Sequence, residues 1–271
     1  MQGFESMAET HGRYDVERWV GDGATASEDT VAEEVPVALV YNGFSHAVMM
    51  ATPQDLEDFA LGFSLTEGVV RDASEIFDLD VVEHEAGTEV RMHLAGERFA
   101  ELRRRRRALA GRTGCGLCGI ESLDQLATRP VGRVAPVGMI EAGALNRAQR
   151  ELRSLQHLFE LTGAVHGAAW CRADGSVELV REDVGRHNAL DKLIGAAAAQ
   201  HRSFAEGFLL MTSRASYEIV QKAASVGIGV VAAVSAPTGM AVRIAQQAGV
   251  TLIGFARGER HSVYSHPQRV H

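Results

Sequence analysis

Between Phe208 and Phe255 the chain alternates short apolar runs with helix-like segments, and this alternation restricts the fold more than any other feature. Strand Phe208–Thr212 precedes a helix over Ser216–Ser225, strand Ile228–Val234 precedes a helix over Thr238–Gln247, and strand Val250–Phe255 closes the series. Each strand is a brief apolar run without polar alternation, as suits a parallel sheet buried on both faces. Upstream, Thr162–Cys171 is apolar, Ala173–Ser176 turns, Val177–Arg181 returns as a second strand, and a helix is expected over Arg186–Gln200. The second half of the chain therefore reads as a layered α/β domain.

The first half reads differently. Val35–Met50 forms a hairpin about Asn42-Gly43, a pair that supplies the positive φ angles of a tight primed turn. A helix follows, with Thr52 as its cap, Pro53 in its first position and Asp55 completing a capping box. Leu56, Phe59, Ala60 and Phe63 share its apolar face, and Gly68 stops it. Residues 76–94 alternate weakly and suggest two more strands. Residues 1–30, rich in Gly, Ser, Thr and acids, read as a loose tail in which Arg13–Val20 is a candidate strand. The expected organisation is a tail over 1–30, a small α+β domain over 31–112, a mobile Cys-x-x-Cys loop over 113–120, and an α/β/α domain over 121–271.

With 271 residues, 46% hydrophobic and 23% charged, the chain has the composition of a globular protein with a sizeable core. A net charge of −8 argues against a general nucleic-acid surface. No apolar run is long and uncharged enough to cross a bilayer. Met1–Thr10 lacks the basic start, apolar centre and cleavage site of a secretory signal, so a cytoplasmic location is expected.

The strand ends direct attention to a ligand. In open parallel sheets, ligands sit beyond the carboxyl ends of the strands. Here those ends are Ser213-Arg214, Ser235-Ala236-Pro237-Thr238-Gly239 and Ala256-Arg257-Gly258-Glu259-Arg260. A helix N-terminus at Thr238-Gly239 offers free N–H groups to anions, and arginine grips phosphate bidentately. The edge reads as a site for a phosphate-bearing ligand; ordinary polar loops are the alternative.

The three cysteines are Cys115, Cys118 and Cys171. Cys171, in Ala168-Ala169-Trp170-Cys171, reads as a packed hydrophobe. The other two lie in Gly114-Cys115-Gly116-Leu117-Cys118-Gly119, where glycines leave the loop free to approach other groups. Closed structural zinc needs a second pair of ligands, which the scattered histidines do not supply. A zinc deaminase needs a glutamate two residues after its histidine, but Ala168 follows His166 there. A dithiol redox role and a persulfide carrier both remain open on spacing alone. Arg103–Arg107 and Arg112, just upstream, read as a solvated helix face, a thiolate-stabilising charge or a dock for an acidic partner.

A further segment, Arg181-Glu182-Asp183-Val184-Gly185-Arg186-His187-Asn188-Ala189-Leu190-Asp191-Lys192, places Asp183, His187 and Asp191 at helical spacing. His187 reads as an acid/base group or ligand contact, or else as a structural partner of Asp191. Arg181, Arg186 and Lys192 are further candidates for the strand-edge pocket.

Taken in order from about Glu33 to the C-terminus, these segments resemble the formate dehydrogenase accessory sulfurtransferase family, FdhD. The resemblance runs through Glu34-Val-Pro-Val-Ala-Leu-Val-Tyr-Asn-Gly43, Met50-Ala-Thr-Pro53, Leu61-Gly-Phe63 and Thr66-Glu-Gly68. It continues through Gly114–Gly119, Thr162-Gly-Ala-Val-His166, Glu182–Lys192, Ser213-Arg214 and Phe255-Ala-Arg-Gly258. It implies a cytidine-deaminase-like three-layer α/β/α domain without zinc or other structural metal, a smaller N-terminal α+β domain, and a homodimer. It also implies a sulfurtransferase that takes sulfur from a cysteine desulfurase as a persulfide on Cys115, with Cys118 as companion. The acceptor would be the bis-molybdopterin guanine dinucleotide molybdenum cofactor that formate dehydrogenase needs. The matching cofactor stretch is Phe255–Arg260, within which Glu259 departs by placing a negative charge near phosphates. A non-enzymatic cofactor chaperone and a dithiol redox protein are the rival readings.

Overall fold

The computed structural model describes residues 9–109, 134, 135 and 138–271, with the side chains of 105–109 outside that description. The Cys115–Cys118 segment lies outside the described residues.

The C-terminal domain is a six-stranded sheet in the order β12-β11-β10-β9-β7-β8. Its strands are β7 (His166–Cys171), β8 (Val177–Asp183), β9 (Phe208–Met211), β10 (Val230–Ala233), β11 (Thr251–Arg257) and β12 (Arg260–Ser265). β9, β10 and β11 run parallel, as their alternation with helices requires. The flanking strands are antiparallel, because β7–β8 and β11–β12 are hairpins rather than crossovers.

Alternate residues of each strand enter two separate cores, as the two-residue period of a strand dictates. Trp170, Leu209, Met211, Val231 and Leu252 pack against α5 (Arg186–Ala199), α6 (Tyr217–Ser225) and α7 (Gly239–Ala248). Ala169, Cys171, Phe208, Leu210, Val230 and Ile253 pack on the other face, against α3 (Ala142–Leu155). The result is the three-layer α/β/α arrangement. Cys171 lies fully within the second core, where burial pushes its thiol far above the ordinary range. It is a packed hydrophobe, as its sequence context implied.

The smaller domain is a four-stranded sheet, β4-β3-β6-β5, with α1 (Leu56–Thr66) on one face. β3 (Val35–Tyr41) and β4 (Phe44–Ala51) form the expected hairpin, and Asn42 and Gly43 both take positive φ at its turn. β5 (Ile76–His84) and β6 (Gly87–Leu94) are the two strands expected over 76–94, and α2 (Gly96–Leu109) follows. Leu56, Phe59, Ala60 and Phe63 meet the sheet as anticipated. The helix start differs. α1 begins at Leu56 behind Asp55, whose side chain caps nothing, and Thr52 is fully buried with its hydrogen bonds directed into the other domain. Residues read as a loose tail are instead largely a hairpin, β1 (His11–Val20) and β2 (Gly23–Ala32), paired in continuous register.

The two domains share a seam. α1 crosses α5 so closely that a Cβ on Gly62 would sit on the Asp191 carbonyl, and one on Gly195 on the Asp58 carbonyl. Only glycine permits such backbone contact. Around it lie buried charges: Lys192 Nζ is 2.7 Å from Asp183 Oδ2, and both side chains are fully buried. Lys222 Nζ lies 2.9 Å from Asp191 Oδ2, Glu67 Oε1 and Thr66 Oγ1. Burial opposes the Lys222 charge, but Asp191 and Glu67 outweigh it and raise its pKa. Arg181 closes the seam at its rim, 2.7 Å from Asp58.

Two substitutions test this seam in urea denaturation. Gly195→Ala is expected to cost about 1–3 kcal/mol through forced separation of the helices. Lys192→Met, which strands the Asp183 carboxylate, is expected to cost about 3–5 kcal/mol.

Candidate functional site

The carboxyl ends of β9, β10 and β11 converge with the start of β7 and the N-terminus of α5. Ser213 ends β9, buried, and its hydroxyl donates to the Arg214 carbonyl at 3.0 Å. Arg214 itself is exposed. The next turn is tied down by Thr238 N–H donating to the Ala215 carbonyl at 3.0 Å. Thr238 caps α7 by accepting from Ala241 N–H, and Thr238 and Gly239 are both exposed.

β11 does not leave the sheet smoothly. Phe255 has a φ of 54°, in the left-handed region that a large side chain rarely occupies, and the pairing with β12 shifts register between Gly254 and Arg257. Such a conformation costs on the order of 1–3 kcal/mol and persists only where its surroundings impose it. Here Phe255 N–H donates to the Ser235 carbonyl at 3.1 Å, and a Cβ on Gly254 would press on the Pro237 ring. The kink sends Arg257 outward over the Phe255 ring, 5.7 Å from its centroid, while Ala256 stays in the core. Gly258 N–H is held by Gln149 Oε1 at 2.8 Å, and Glu259 and Arg260 are exposed beside it.

Arg186 and His187 open α5 at the same edge. Burial and the nearby Arg186 charge lower the pKa of His166, at the start of β7. His187 Nε2 lies 3.7 Å from Glu218 Oε2, a charge contact too long for a hydrogen bond. Glu218 is held down to about 2, chiefly by His187 beside it. The expected His187–Asp191 partnership is absent: Asp191 faces the seam and Lys222. Arg186 Nε, His187 Nε2 and Ser216 Oγ are buried with no partner at hydrogen-bond distance, although His187 and Ser216 both approach Glu218 and help to lower its pKa. Buried polar atoms are normally satisfied, so this cluster marks a place where a polar ligand or water belongs.

The Glu182–Lys192 segment thus divides its roles. Arg186 and His187 face the strand edge. Asp183, Asn188 and Lys192 face the small domain, bonding Thr52 and Met50. Glu182 accepts from Leu158 N–H and Phe159 N–H at 2.9 and 3.0 Å, satisfying the start of α4 (His157–Thr162). Arg181 and Lys192, read as pocket candidates, are committed to the seam. Glu218 was not anticipated, and no local motif signals it.

A cavity of about 1270 Å³ lies elsewhere, between Glu67–Ser74 and the C-terminal ends of α5 and α6. The convergence of cationic groups, a helix N-terminus and unpartnered atoms gives the strand edge the stronger claim as a ligand site. No described group of His, Cys, Asp and Glu could hold a metal, and no described helix is long and apolar enough to cross a membrane.

Fold and edge together define an α/β/α protein whose candidate ligand site lies at the carboxyl ends of its strands. The chain belongs to the FdhD/NarQ family, whose profile matches residues 32–271. A relative from Cupriavidus necator named "Sulfur carrier protein FdhD" is 56% identical over 264 residues, covering 96% of this chain and 90% of that one. One of the same name from Bordetella petrii is 52% identical over 248 residues, covering 92% and 89%. The crystal structure of a putative formate dehydrogenase accessory protein from Desulfotalea psychrophila shares the fold, with a TM-score of 0.76 at 22% identity. It covers 97% of this chain and all of that one.

The Glu218 carboxylate gives a pH prediction. Its folded pKa lies below its ordinary 4.5, so its contribution to stability is present above pH 4.5 and lost as pH falls toward 2. Glu218→Gln is expected to flatten the stability–pH curve in that window, read by thermal melts between pH 2.5 and 6.

Proposed function

We propose that this protein is a sulfur carrier in the maturation of formate dehydrogenase. It accepts a sulfane sulfur on Cys115 from a cysteine desulfurase. It delivers that sulfur to the bis-molybdopterin guanine dinucleotide cofactor, bound as substrate at the strand edge. Family membership and the names of its relatives support sulfur transfer. The observation that carries the acceptor site is the cluster of buried, unpartnered Arg186 Nε, His187 Nε2 and Ser216 Oγ at the edge bearing Thr238-Gly239 and Arg257.

In the loading step the Cys115 thiolate attacks the terminal sulfur of the donor persulfide. The donor S–S bond breaks, the donor cysteine leaves as a thiolate, and Cys115 holds the S–SH group, with no net redox change. In delivery, attack by the Cys118 thiolate on the Cys115 sulfur releases HS⁻ at the acceptor and leaves a Cys115–Cys118 disulfide. A cellular dithiol then reduces that disulfide. Arg257 and Arg260 counter the phosphate charge, and the α7 N-terminus offers free N–H donors. On its C-terminal side, chain length permits the transfer. Val134 is anchored by its N–H to the Ala248 carbonyl, at the far end of α7 from Thr238. α7 is only about 15 Å long, whereas the stretch from Cys115 to Val134 can extend over about 60 Å.

The edge also suits a chaperone that binds the cofactor without transferring sulfur, and one pair of variants separates the two. In cells lacking their own copy, wild type is expected to restore formate oxidation. Cys115→Ala is expected to fold, bind guanosine diphosphate normally and leave formate dehydrogenase at background. Arg257→Ala with Arg260→Ala is expected to weaken that nucleotide by about 10–100-fold, since charged hydrogen bonds contribute about 1.5–3 kcal/mol. Full formate oxidation with Cys115→Ala would leave the chaperone reading standing and the carrier reading untenable.

A further inference from the structure

At their N-terminal ends α5 and α6 carry Arg186, His187, Ser216 and Glu218 to the strand edge, and their other ends wall the cavity of about 1270 Å³. The facing wall is the end of α1 and the segment after it, Glu67–Ser74, so the void opens along the seam between the domains. Ligand sites are clefts of about 300–1,000 Å³, mostly apolar, with a few convergent polar groups. This void has room for such a molecule. Its apolar surface comes from both sides, Leu65 and Val70 from the small domain and Ile194, Phe204 and Val226 from the large one.

The charges around the void are unequally committed. Glu67 and Asp72 line it, and both are answered within the protein. Glu67 pairs with Lys222 at 2.9 Å. Asp72 Oδ1 accepts the Ser74 N–H at 2.9 Å and the Ser74 hydroxyl at 2.6 Å, and His201 attracts its charge. The helix ends are answered too: Ala196, Ala197 and Ala198 accept from Gln200, Arg202 and His201 N–H, and Ala223 and Ala224 from Val226 and Gly227 N–H. The arginines are freer. Arg71 donates its backbone N–H to Glu75, and its exposed guanidinium makes no ion pair among the described residues. Arg202, exposed on the opposite wall, reaches Gln200 Oε1 at 2.7 Å and lies 3.6 Å from Glu178. One guanidinium from each wall therefore leaves the mouth positive. Inside, Gln221 lines the void at 4% exposure, and its Oε1 meets no donor. Buried acceptors are normally satisfied, so what this oxygen lacks is a donor entering from the void.

We propose that this seam cavity binds an organic anion with a ring-sized apolar body. The anionic group lies between Arg71 and Arg202, the body lies against Leu65 and Phe204, and an N–H donor at the far end reaches Gln221 Oε1. A nucleoside monophosphate with an exocyclic amine has all three parts, and guanidinium groups suit its phosphate. Such a ligand touches both domains at once and braces the seam from the end opposite the strand edge. The two sites are separate, so this proposal stands or falls independently of the sulfur-carrier reading.

Adenosine monophosphate is the probe, titrated calorimetrically into the full chain. One molecule per chain is expected to bind with a Kd below about 1 mM and to raise Tm as its concentration rises. Arg71→Ala and Arg202→Ala, both on exposed side chains, are each expected to weaken it by about 10-fold, and Gln221→Leu to do the same, with circular dichroism confirming the fold. Inorganic phosphate, which has the charge without the body or the donor, is expected to bind at least about 10-fold more weakly. Arg257→Ala with Arg260→Ala, at the strand edge, is expected to leave the binding unchanged. No heat and no shift in Tm at about 10 mM adenosine monophosphate overturns the proposal. So does binding indifferent to the Arg71, Arg202 and Gln221 substitutions, binding matched by phosphate alone, or binding lost in the strand-edge variant.

Discussion

The carboxylate of Asp183 holds the molecule together at one point. At the end of β8, fully buried, it accepts Thr52 N–H from the small domain, Gly185 N–H from its own turn and the Asn188 side chain from α5. It is also paired with Lys192 one turn further along that helix. A buried carboxylate is costly unless every direction around it is answered, and here the answers come from both domains. The same bonds that neutralise Asp183 fix where α5 begins. Arg186 and His187, between the seam residues Asp183 and Asn188, are thereby turned toward the strand edge. The seam positions the site.

The glycine contact between α1 and α5 works with this charge. Because Gly62 and Gly195 let the backbones touch, Thr66 reaches Asp191 and Lys222, and Thr52 reaches Asp183 and Lys192. A larger residue at either glycine would lengthen these bonds together. The small domain, with its sheet packed on α1, is thus a brace for the first turn of α5 rather than an independent unit. The kink at Phe255 is imposed from the opposite side of the edge, by Ser235 and Pro237.

What the sequence made legible follows the range of the interactions involved. The Asn42-Gly43 turn, the apolar face of α1 and the β9–β11 alternation are local patterns, and all appear in the structure. Thr52 has the composition of a helix cap, but its N–H and its hydroxyl bond residues more than a hundred positions away, and no local rule weighs such partners. The same holds for Asp191, read beside His187 by spacing yet bound to Lys222 on another helix. Sheet direction was half legible: crossovers showed the parallel core, while the hairpins turned β7, β8 and β12 antiparallel. The strand-edge candidates were legible because sheet topology alone locates that edge, whereas Glu218 joins them only through the packing of α6 beside α5. The polar composition of residues 1–30 concealed a two-stranded ribbon.

The central claim is that sulfur rides on Cys115. Its most direct test is intact-mass spectrometry after incubation with a cysteine desulfurase and cysteine, comparing wild type with Cys115→Ser. The account predicts the addition of one reductant-labile sulfur to wild type and none to Cys115→Ser. A wild type that gains no sulfur, or a Cys115→Ser protein that gains as much, would contradict it.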